Sequence, residues 1–393
     1  MPITSFVEPE LTLTEAQVVA EASRCLNCAG CSDCRQCVTA CEVKCIDFYQ
    51  KPETIELEVG NIIVTTGFDT FDPSVITRYG YGTYDNVITS LEFERLANAS
   101  GPTNGEIKLK DGSKPESVAI VHCVGSRDKN YHEYCSQICC MYSLKQSHII
   151  RERTGAPVYQ MYIDLRCVGK GYEEFSNRVA EEGVNFIRGK VAEITDKTTG
   201  DEPMGKLIVV VEDTLLGAVL RVPVDMVVLA VAVEPQKDTE AVGRLFGLSR
   251  SADGFFLERH PKLDPIATMN DGIFVAGGAQ GPKDIPQTVA QAQAAAARVL
   301  AAIAKGRIDL EPRVSEVIEE NCDGCAYCVD PCPYKAITLI EYERDGITKK
   351  IVETDPVKCR GCGVCMATCP KAGIVVKGFT TDQLRSMVEA LIC

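Results

Sequence analysis

Two stretches near the end of the chain constrain its structure more than any other feature: Cys322-x2-Cys325-x2-Cys328-x3-Cys332-Pro333 and Cys359-x2-Cys362-x2-Cys365-x3-Cys369-Pro370. Thiols two or three residues apart are poorly placed to bridge distant segments but well placed to wrap one inorganic group. A disulfide framework is the first competing account, because the chain holds 21 cysteines. Such frameworks belong to short secreted domains whose cores are too small to stand alone. With 393 residues, 45% of them apolar, this chain can bury a core without covalent staples. Structural zinc is a second alternative, but zinc usually takes paired C-x2-C elements instead of a four-cysteine run ending in Cys-Pro. The reading adopted is two [4Fe–4S] clusters. Between the runs, ITLIEYERDGITKKIVE predicts two β-rich stretches folded back around Asp345-Gly346.

The formal charge of −14, from 41 Lys+Arg against 55 Asp+Glu, argues against nucleic acid or an anionic membrane surface as a partner. The longest apolar run, VDMVVLAVAV at 224–233, is about half of the ~20 residues a bilayer-spanning helix needs, so no membrane span is expected. MPITSFVEPELTLTEAQ has no basic region followed by an apolar core. A secretory signal is therefore not expected, and a cytoplasmic location is.

The two C-terminal runs resemble those of bacterial two-cluster ferredoxins, in which three thiolates of one run join the fourth of the other. That resemblance implies Cys322, Cys325, Cys328 and Cys369 on one cluster, and Cys359, Cys362, Cys365 and Cys332 on the second. A further group lies near the N-terminus: Cys25, Cys28, Cys31, Cys34, Cys37, Cys41 and Cys45. Its inner run from Cys31 to Cys41 has the same spacing without the proline, which predicts one cluster. Seven cysteines cannot hold two all-cysteine cubes, so a second cluster would need another ligand, an incomplete cube or a partner's thiolate. The preceding LTEAQVVAEASRCLNC has helical periodicity, with Thr14 and Glu15 at its cap. This region resembles the helical cysteine-rich domain ahead of the flavin domains in the glutamate synthase small-subunit family, which implies two clusters.

The middle group is Cys123, Cys135, Cys139 and Cys140 in HCVGSRDKNYHEYCSQICC. ESVAIVHC reads as a buried strand, CSQICCMYSLKQSHIIRERTG as a helix, APVYQMYIDLR as a strand, KGYEEFSNRVAEEG as a helix and VNFIRG as a strand. Such alternation predicts a parallel sheet with crossover helices. A dinucleotide site would place G-x-G-x-x-G in the first turn, but that turn reads CVGSRD, and GKGYEE at 169–174 lacks the third glycine. Sulfur thus stands at the C-terminal strand end, where open α/β sheets bind ligands. The four thiols are expected to hold a cluster; four inert buried cysteines are the alternative. Cys167 and Cys393 read as lone thiols.

Two segments bracket this unit. TIELEVGNIIVTTGFDTFDP at 54–73 ends an apolar strand in Thr66-Gly67, and NDGIFVAGGAQGPKDIPQTVAQAQAAAARVLAAI at 270–303 runs strand, glycine turn, alanine-rich helix. A helix N-terminus after such a turn offers free N–H groups and a positive dipole end. Both segments resemble the FAD motifs of two-dinucleotide-domain flavoproteins. The resemblance implies flavin contacts at Thr66, Gly67, Gly277, Gly278, Gly281, Pro282, Lys283, Asp284 and Ile285. Two parts of that pattern are missing: the first fifty residues contain no G-x-G-x-x-G, and Ala279 follows Gly277-Gly278 where an Asp is usual. FAD is therefore expected to be shared with a partner that supplies the ADP-binding half.

Taken together, VHCVGSRD…YCSQICCMYSLK, YIDLRCVGKGYEEF, IIVTTGFDTFDP, IFVAGGAQGPKDIPQTVAQAQAAAARV and the C-terminal runs resemble the iron–sulfur flavoprotein component (HdrA-like) of CoB–CoM heterodisulfide reductase. The likeness covers the chain from about residue 20, and the flavin subunit of the quinone-interacting membrane-bound oxidoreductase is a related family. Longer members carry the G-x-G-x-x-G segment upstream, so the chain looks like the C-terminal portion of a divided or truncated subunit. The implied fold class is α/β, a thioredoxin-reductase-like core with two dinucleotide-binding domains, incomplete at its N-terminus. Its implied domains are a helical cysteine-rich domain at 1–50, the core at 51–310 with a cluster-bearing subdomain at 115–235, and a ferredoxin domain at 311–393. The implied function is that of an oxidoreductase subunit relaying electrons between FAD and four or five [4Fe–4S] clusters, in some members by splitting an electron pair. Lys145 would lie near the flavin N5 as a cation. Implied partners are the other subunits of such a complex and redox donors such as hydrogenase, formate dehydrogenase or ferredoxin. A flavin-free cluster connector and a flavin subunit of the quinone-interacting kind are alternatives. A self-contained NAD oxidoreductase is disfavoured by the missing fingerprint.

Overall fold

The structure, a computed structural model, describes residues 13–23, 35–307, 312–344 and 347–392. The chain divides into two compact units, Met1–Ile55 with Phe71–Ala232, and Glu56–Thr70 with Val233–Cys393. The first unit opens with helices α1 (Glu15–Ser23) and α2 (Gln36–Ala40). Thr14 caps α1 in a reciprocal box: the Thr14 N–H donates to Gln17 Oε1 at 2.9 Å and the Gln17 N–H to the Thr14 hydroxyl at 3.4 Å. The cap partner is thus Gln17 and not Glu15.

Strands β1 (Ile62–Val64) and β2 (Phe68–Thr70) then enter the second unit. Back in the first unit follow β3 (Val87–Thr89), α3 (Ser90–Ala97), β4 (Val118–Val124), α4 (Cys139–Thr154), β5 (Val158–Tyr162), α5 (Tyr172–Glu181) and β6 (Asn185–Arg188). After them come β7 (Val191–Thr195), β8 (Leu207–Asp213), β9 (Ala218–Val224) and β10 (Met226–Val231). The order β3-β10-β4-β5-β6 makes one parallel sheet, and β7-β8-β9 an antiparallel one.

The apolar run too short for a bilayer is β10, a central strand buried along its length. Side chains alternate between its faces, as a pleated strand requires. Val227 and Leu229, with Val121 of β4, pack with Val209, Val211 and Val224 of the antiparallel sheet. Met226 and Val228, with Val118 and Ile120, pack with Leu144 and Ile150 of α4 and Val179 of α5. Each such side chain contributes about 1.5–3 kcal/mol by leaving water. Among the described residues no helix is long and apolar enough to cross a membrane.

A bulge interrupts this order where β4 ends. Leu229 pairs with Val121 and Val231 with Val124, so His122 and Cys123 together oppose Ala230. An extra residue of this kind re-aims its side chain, and Cys123 takes the left-handed conformation at φ 58°.

In the second unit β11 (Val233–Pro235) pairs antiparallel with β2, and β1 pairs in parallel with β12 (Ile273–Val275). Helices α6 (Thr239–Phe246) and α7 (Ile285–Lys305) follow their strands. The C-terminal segment adds β13 (Ser315–Val317), β14 (Ile337–Arg344), β15 (Ile347–Thr354), α8 (Val364–Thr368), β16 (Ile374–Val376) and α9 (Thr381–Ile392). β13 pairs with β16, and β14 with β15 as the hairpin expected there. Its turn at 345–346 lies outside the described residues.

Candidate metal centres and flavin motif

The second cysteine run starts 37 residues after the first, and the backbone repeats with it. Gly324 and Gly361, Ala326 and Gly363, and Lys335 and Ala372 are three such pairs, every member with φ between 48° and 81°. A Cβ on Gly361 would collide with the Arg313 carbonyl oxygen, so its glycine is required by space as well as by φ. The fourth cysteine of each run accepts an equivalent amide, Ala336 N–H to Cys332 Sγ at 3.4 Å and Gly373 N–H to Cys369 Sγ at 3.2 Å. Ser315 N–H adds a bond to Cys359 Sγ at 3.3 Å.

The folded repeat forms two small cavities. One is lined by Cys332, Cys359, Cys362 and Cys365. The other is lined by Cys322, Cys325, Cys328 and Cys369. In both, the fourth cysteine of one run stands with three of the other. A single tetrahedral zinc would draw its four sulfurs to within about 3.8 Å of each other. Among the described residues no three His, Cys, Asp or Glu converge for a single ion, whereas sulfurs set around a cavity with amides aimed at them fit a cube. Burial pushes Cys328 up to about 11 and also raises Cys365. A cationic inorganic core is what would hold such groups as thiolates.

The middle group is assembled by a folded loop. His132 N–H donates to Gly125 O, Asp128 N–H to His132 O and Arg127 N–H to Tyr134 O at 3.2, 2.9 and 3.0 Å. Those bonds return the chain from Cys123 to Cys135, whose sulfur accepts the Gln137 N–H at 3.4 Å. Gly125, Arg127 and Gln137 share the left-handed conformation of Cys123. Residues held in such conformations mark functional loops when the surroundings over-determine them. Cys139 and Cys140 occupy the first turn of α4, and the Cys139 thiol is hydrogen-bonded to both Cys123 and Cys140. These bonds, with burial, push Cys139 well up. In return the Cys139 contact, aided by His122, draws Cys140 down to about 4 and Cys123 to about 7. Cys123 and Cys140 thus favour the thiolate, the ligand form, while Cys139 is the thiol that donates to them.

Polar atoms around the cysteines supply a second test of fit. Nine buried side-chain nitrogens and oxygens lack a partner among the described residues, and six of them belong to His122, Ser126, Arg127, Ser143 and Arg360. The first four residues flank the middle thiols in sequence, and Arg360 lines a C-terminal cavity. Leaving such an atom unpaired costs about 1–3 kcal/mol, and for the hydroxyls of Ser126 and Ser143 and the guanidinium N–H groups of Arg127 and Arg360 the sulfur atoms of a cluster are fitting acceptors. His122 is locked from its far side: Gln160 Nε2 donates to Ser143 O and Ser147 Oγ, so Gln160 Oε1 accepts from His122 Nε2 at 2.8 Å. Its Nδ1 is left on the side of Cys140.

Cys25, Cys28, Cys31 and Cys34 lie outside the described residues, as does Cys393. Cys37 stands in α2, and the Cys41 and Cys45 sulfurs are 3.4 Å apart. Cys167 is half buried against the core on the α4 side of the parallel sheet, and burial raises its thiol.

Thr66 and Gly67 follow β1, and Gly277 and Gly278 follow its partner β12, so both glycine turns open from the same ends of two parallel strands. Gly277 N–H donates to Gln291 Oε1 at 2.8 Å. Lys283 Nζ donates to Gly277 O and Gly281 O at 2.7 and 2.8 Å, and burial pushes it down to about 8. Asp284 caps α7 by accepting the Gln287 N–H at 2.8 Å, with Pro286 in the first turn. That carboxylate makes the helix end a poor seat for a pyrophosphate. Pro282 lies within the Lys283 tether, and Ile285 is exposed. Lys145, in the first unit on α4, pairs with Glu94 at 2.7 Å.

An ion-pair knot joins the cysteine-rich segment to β12. Asp271 accepts from Arg259 at 2.5 Å and from Arg360 at 2.6 Å. Burial works to raise its pKa, but the two guanidiniums outweigh burial and leave the carboxyl below its usual value. A lowered carboxyl stabilises the fold above its unfolded pKa and stops doing so as pH falls through its folded one. Asp271→Asn should therefore cost about 2–4 kcal/mol, seen as a lower unfolding midpoint by circular dichroism. The difference should hold constant between pH 6 and 8, and an unchanged midpoint would mean the knot is inert.

Sequence reading singled out the thiols and passed over Arg127, Ser126, His122 and Arg360. A trace was present for His122, which stands beside Cys123 in an otherwise apolar strand. For the others, lack of a partner is a property of the folded loop.

Residues 321–372 match a family model described as a 4Fe-4S dicluster domain. A CoB–CoM heterodisulfide reductase iron-sulfur subunit of the A type from Methanopyrus kandleri is 52% identical over 307 residues, 77% of this chain and 46% of that protein. The A-type component of the H(2):CoB-CoM heterodisulfide,ferredoxin reductase of Methanothermobacter thermautotrophicus is 48% identical over 78% of this chain and 46% of its own. For the corresponding iron-sulfur subunit of Methanocaldococcus jannaschii the figures are 46%, 83% and 48%. Among solved structures, the thioredoxin reductase of T. acidophilum aligns with 62% of this chain and 66% of its own at 15% identity and a TM-score of 0.40. The chain spans about half the length of the curated relatives it matches, and over that half it belongs to the family of the A-type iron–sulfur subunits of CoB–CoM heterodisulfide reductase.

Proposed function

We propose that the chain is the electron-transfer subunit of a heterodisulfide-reductase-like oxidoreductase complex, relaying electrons between FAD and four or five [4Fe–4S] clusters. The observation that carries this reading is the thiol trio of Cys123, Cys139 and Cys140 at the C-terminal end of β4, with unpartnered polar atoms on residues that flank them in sequence. When bound, the clusters exchange single electrons and the flavin exchanges pairs. This chain's part is to present thiolates, supply N–H groups to sulfur and keep water out. The domain limits follow the motifs: a cysteine-rich domain at 1–50, the core at 51–310 and a ferredoxin domain at 311–393. Lys145 is retained as the cation toward the flavin, its charge shared with Glu94. Thiolate ligands in such number suit a reducing, cytoplasmic compartment.

FAD on this reading is shared. β1 and β12 form a two-stranded parallel sheet among the described residues, and parallel strands are ordinarily buried within larger sheets. Along α7 only Ala295 is fully buried, while Ile285, Val289, Leu300 and Ile303 form one exposed apolar stripe. A segment carrying G-x-G-x-x-G would extend that sheet and cover that stripe. Relatives named for H(2), formate, ferredoxin or F(420)H(2) support a redox donor of that kind as a further partner. The test is to load the purified chain with FAD, with and without the G-x-G-x-x-G segment of a full-length relative, and record the flavin spectrum. Retention only with the segment is expected. Flavin in neither sample would leave a flavin-free connector as the better account.

A further inference from the structure

We propose that Arg127 sets the reduction potential of the cluster held by Cys123, Cys135, Cys139 and Cys140, by donating a hydrogen bond from Nη1 to one of that cluster's sulfur atoms. This rests on the reading of those four thiols as cluster ligands. The guanidinium is fixed on its outer side, where Nη2 donates to Asp164 Oδ2 at 2.7 Å and Asp164 in turn meets Arg188 at 3.4 Å. Its backbone is fixed as well, left-handed at φ 53° with the N–H bonded to Tyr134 O. A planar fork so anchored leaves Nη1 no freedom to seek water. That nitrogen is buried and has no acceptor among the described residues. The bond from the Arg127 N–H to Tyr134 O sets Arg127 beside the residue that precedes Cys135, and Cys123 and Cys135 both lie near enough to bear on the arginine's charge. The neighbouring cation, Lys190, is already taken by Asp128 at 2.5 Å.

Hydrogen bonds to sulfur and nearby positive charge both stabilise the more negative, reduced state of a cluster and so raise its potential. Asp164 offsets part of the charge, but it is about half exposed and its field is screened by water. The N–H donation is not screened. Ser126 and Ser143 offer neutral hydroxyls nearby, and an N–H on a cation is the stronger donor. Arg127 is thus a positioning and tuning residue, and not a ligand.

The test uses the full chain, anaerobically loaded, as wild type and as Arg127→Gln, Arg127→Lys and Asp164→Asn. Iron and sulfide per chain are counted, and each form is titrated potentiometrically by EPR. The relevant signal is the one lost in Cys139→Ser. At the wild-type midpoint, Arg127→Gln should shift the oxidised-to-reduced ratio at least tenfold toward oxidised, a 59 mV lower potential for one electron. Arg127→Lys should recover part of the shift, because it keeps the charge and loses the fork. Asp164→Asn should leave the potential unchanged or higher. Arg127→Gln with full iron and an unmoved midpoint would overturn the proposal, as would a Lys variant no better than Gln. If Cys139→Ser removes neither iron nor any signal, the reading of the thiols as ligands fails instead, whatever Arg127 does.

Discussion

Replacing Cys322 and Cys369 together by serine should remove about four iron atoms per chain, no more than either replacement removes alone, whereas replacing Cys322 and Cys332 together should remove about eight. The expectation follows from the two cavities, since Cys369 shares one with Cys322, Cys325 and Cys328, while Cys332 shares the other with Cys359, Cys362 and Cys365. Substitutions acting on one site are non-additive, and substitutions on separate sites add. The comparison separates crossed from uncrossed ligation without any need to tell the clusters apart by spectrum. If the Cys322 and Cys332 pair removed only four, each run would be holding its own cube.

A second large effect is expected on α7. Val289→Asp combined with Leu300→Asp should weaken association with the G-x-G-x-x-G segment of a full-length relative at least a hundredfold, which is about 2.7 kcal/mol. The unpartnered chain should keep its circular dichroism and its iron content, because Val289 and Leu300 are 48% and 64% exposed and support no core within it. Association can be followed by calorimetry and by flavin retention. Undiminished association would show that the stripe faces something other than the flavin-completing segment. A loss of circular dichroism in the variant alone would show that the stripe is already covered within the chain.

Much of the first unit was legible because its signals are local. The alternation from β4 through α4, β5 and α5 to β6 appears in the order read from apolar runs and helical periodicity, and in the second unit the pairing of β14 with β15 was legible in the same way. The antiparallel β7–β9 sheet escaped notice. Its outer strand, β9, has mostly half-buried and exposed side chains, and a mixed pattern of that kind marks no clear face. The pairing of β1 with β12 spans more than two hundred residues of chain, and composition alone does not reveal which strand completes which. Spacing showed which cysteines belong together, since ligand geometry is written into short intervals. It could not show Arg127, because a salt bridge on one side and an idle N–H on the other look alike in sequence to any surface arginine.

The duplicated backbone around the C-terminal cysteines carries unlike charges at matching places. Asp323 of the first run meets Lys371 and is neutralised, whereas Arg360 at the equivalent position enters a knot of three arginines, Arg259, Arg298 and Arg360, against two aspartates, Asp264 and Asp271. One half of a near-symmetric scaffold thus sits on a surplus positive charge. A cluster bound beside that surplus would be favoured in its reduced state over a chemically identical one in the neutralised half.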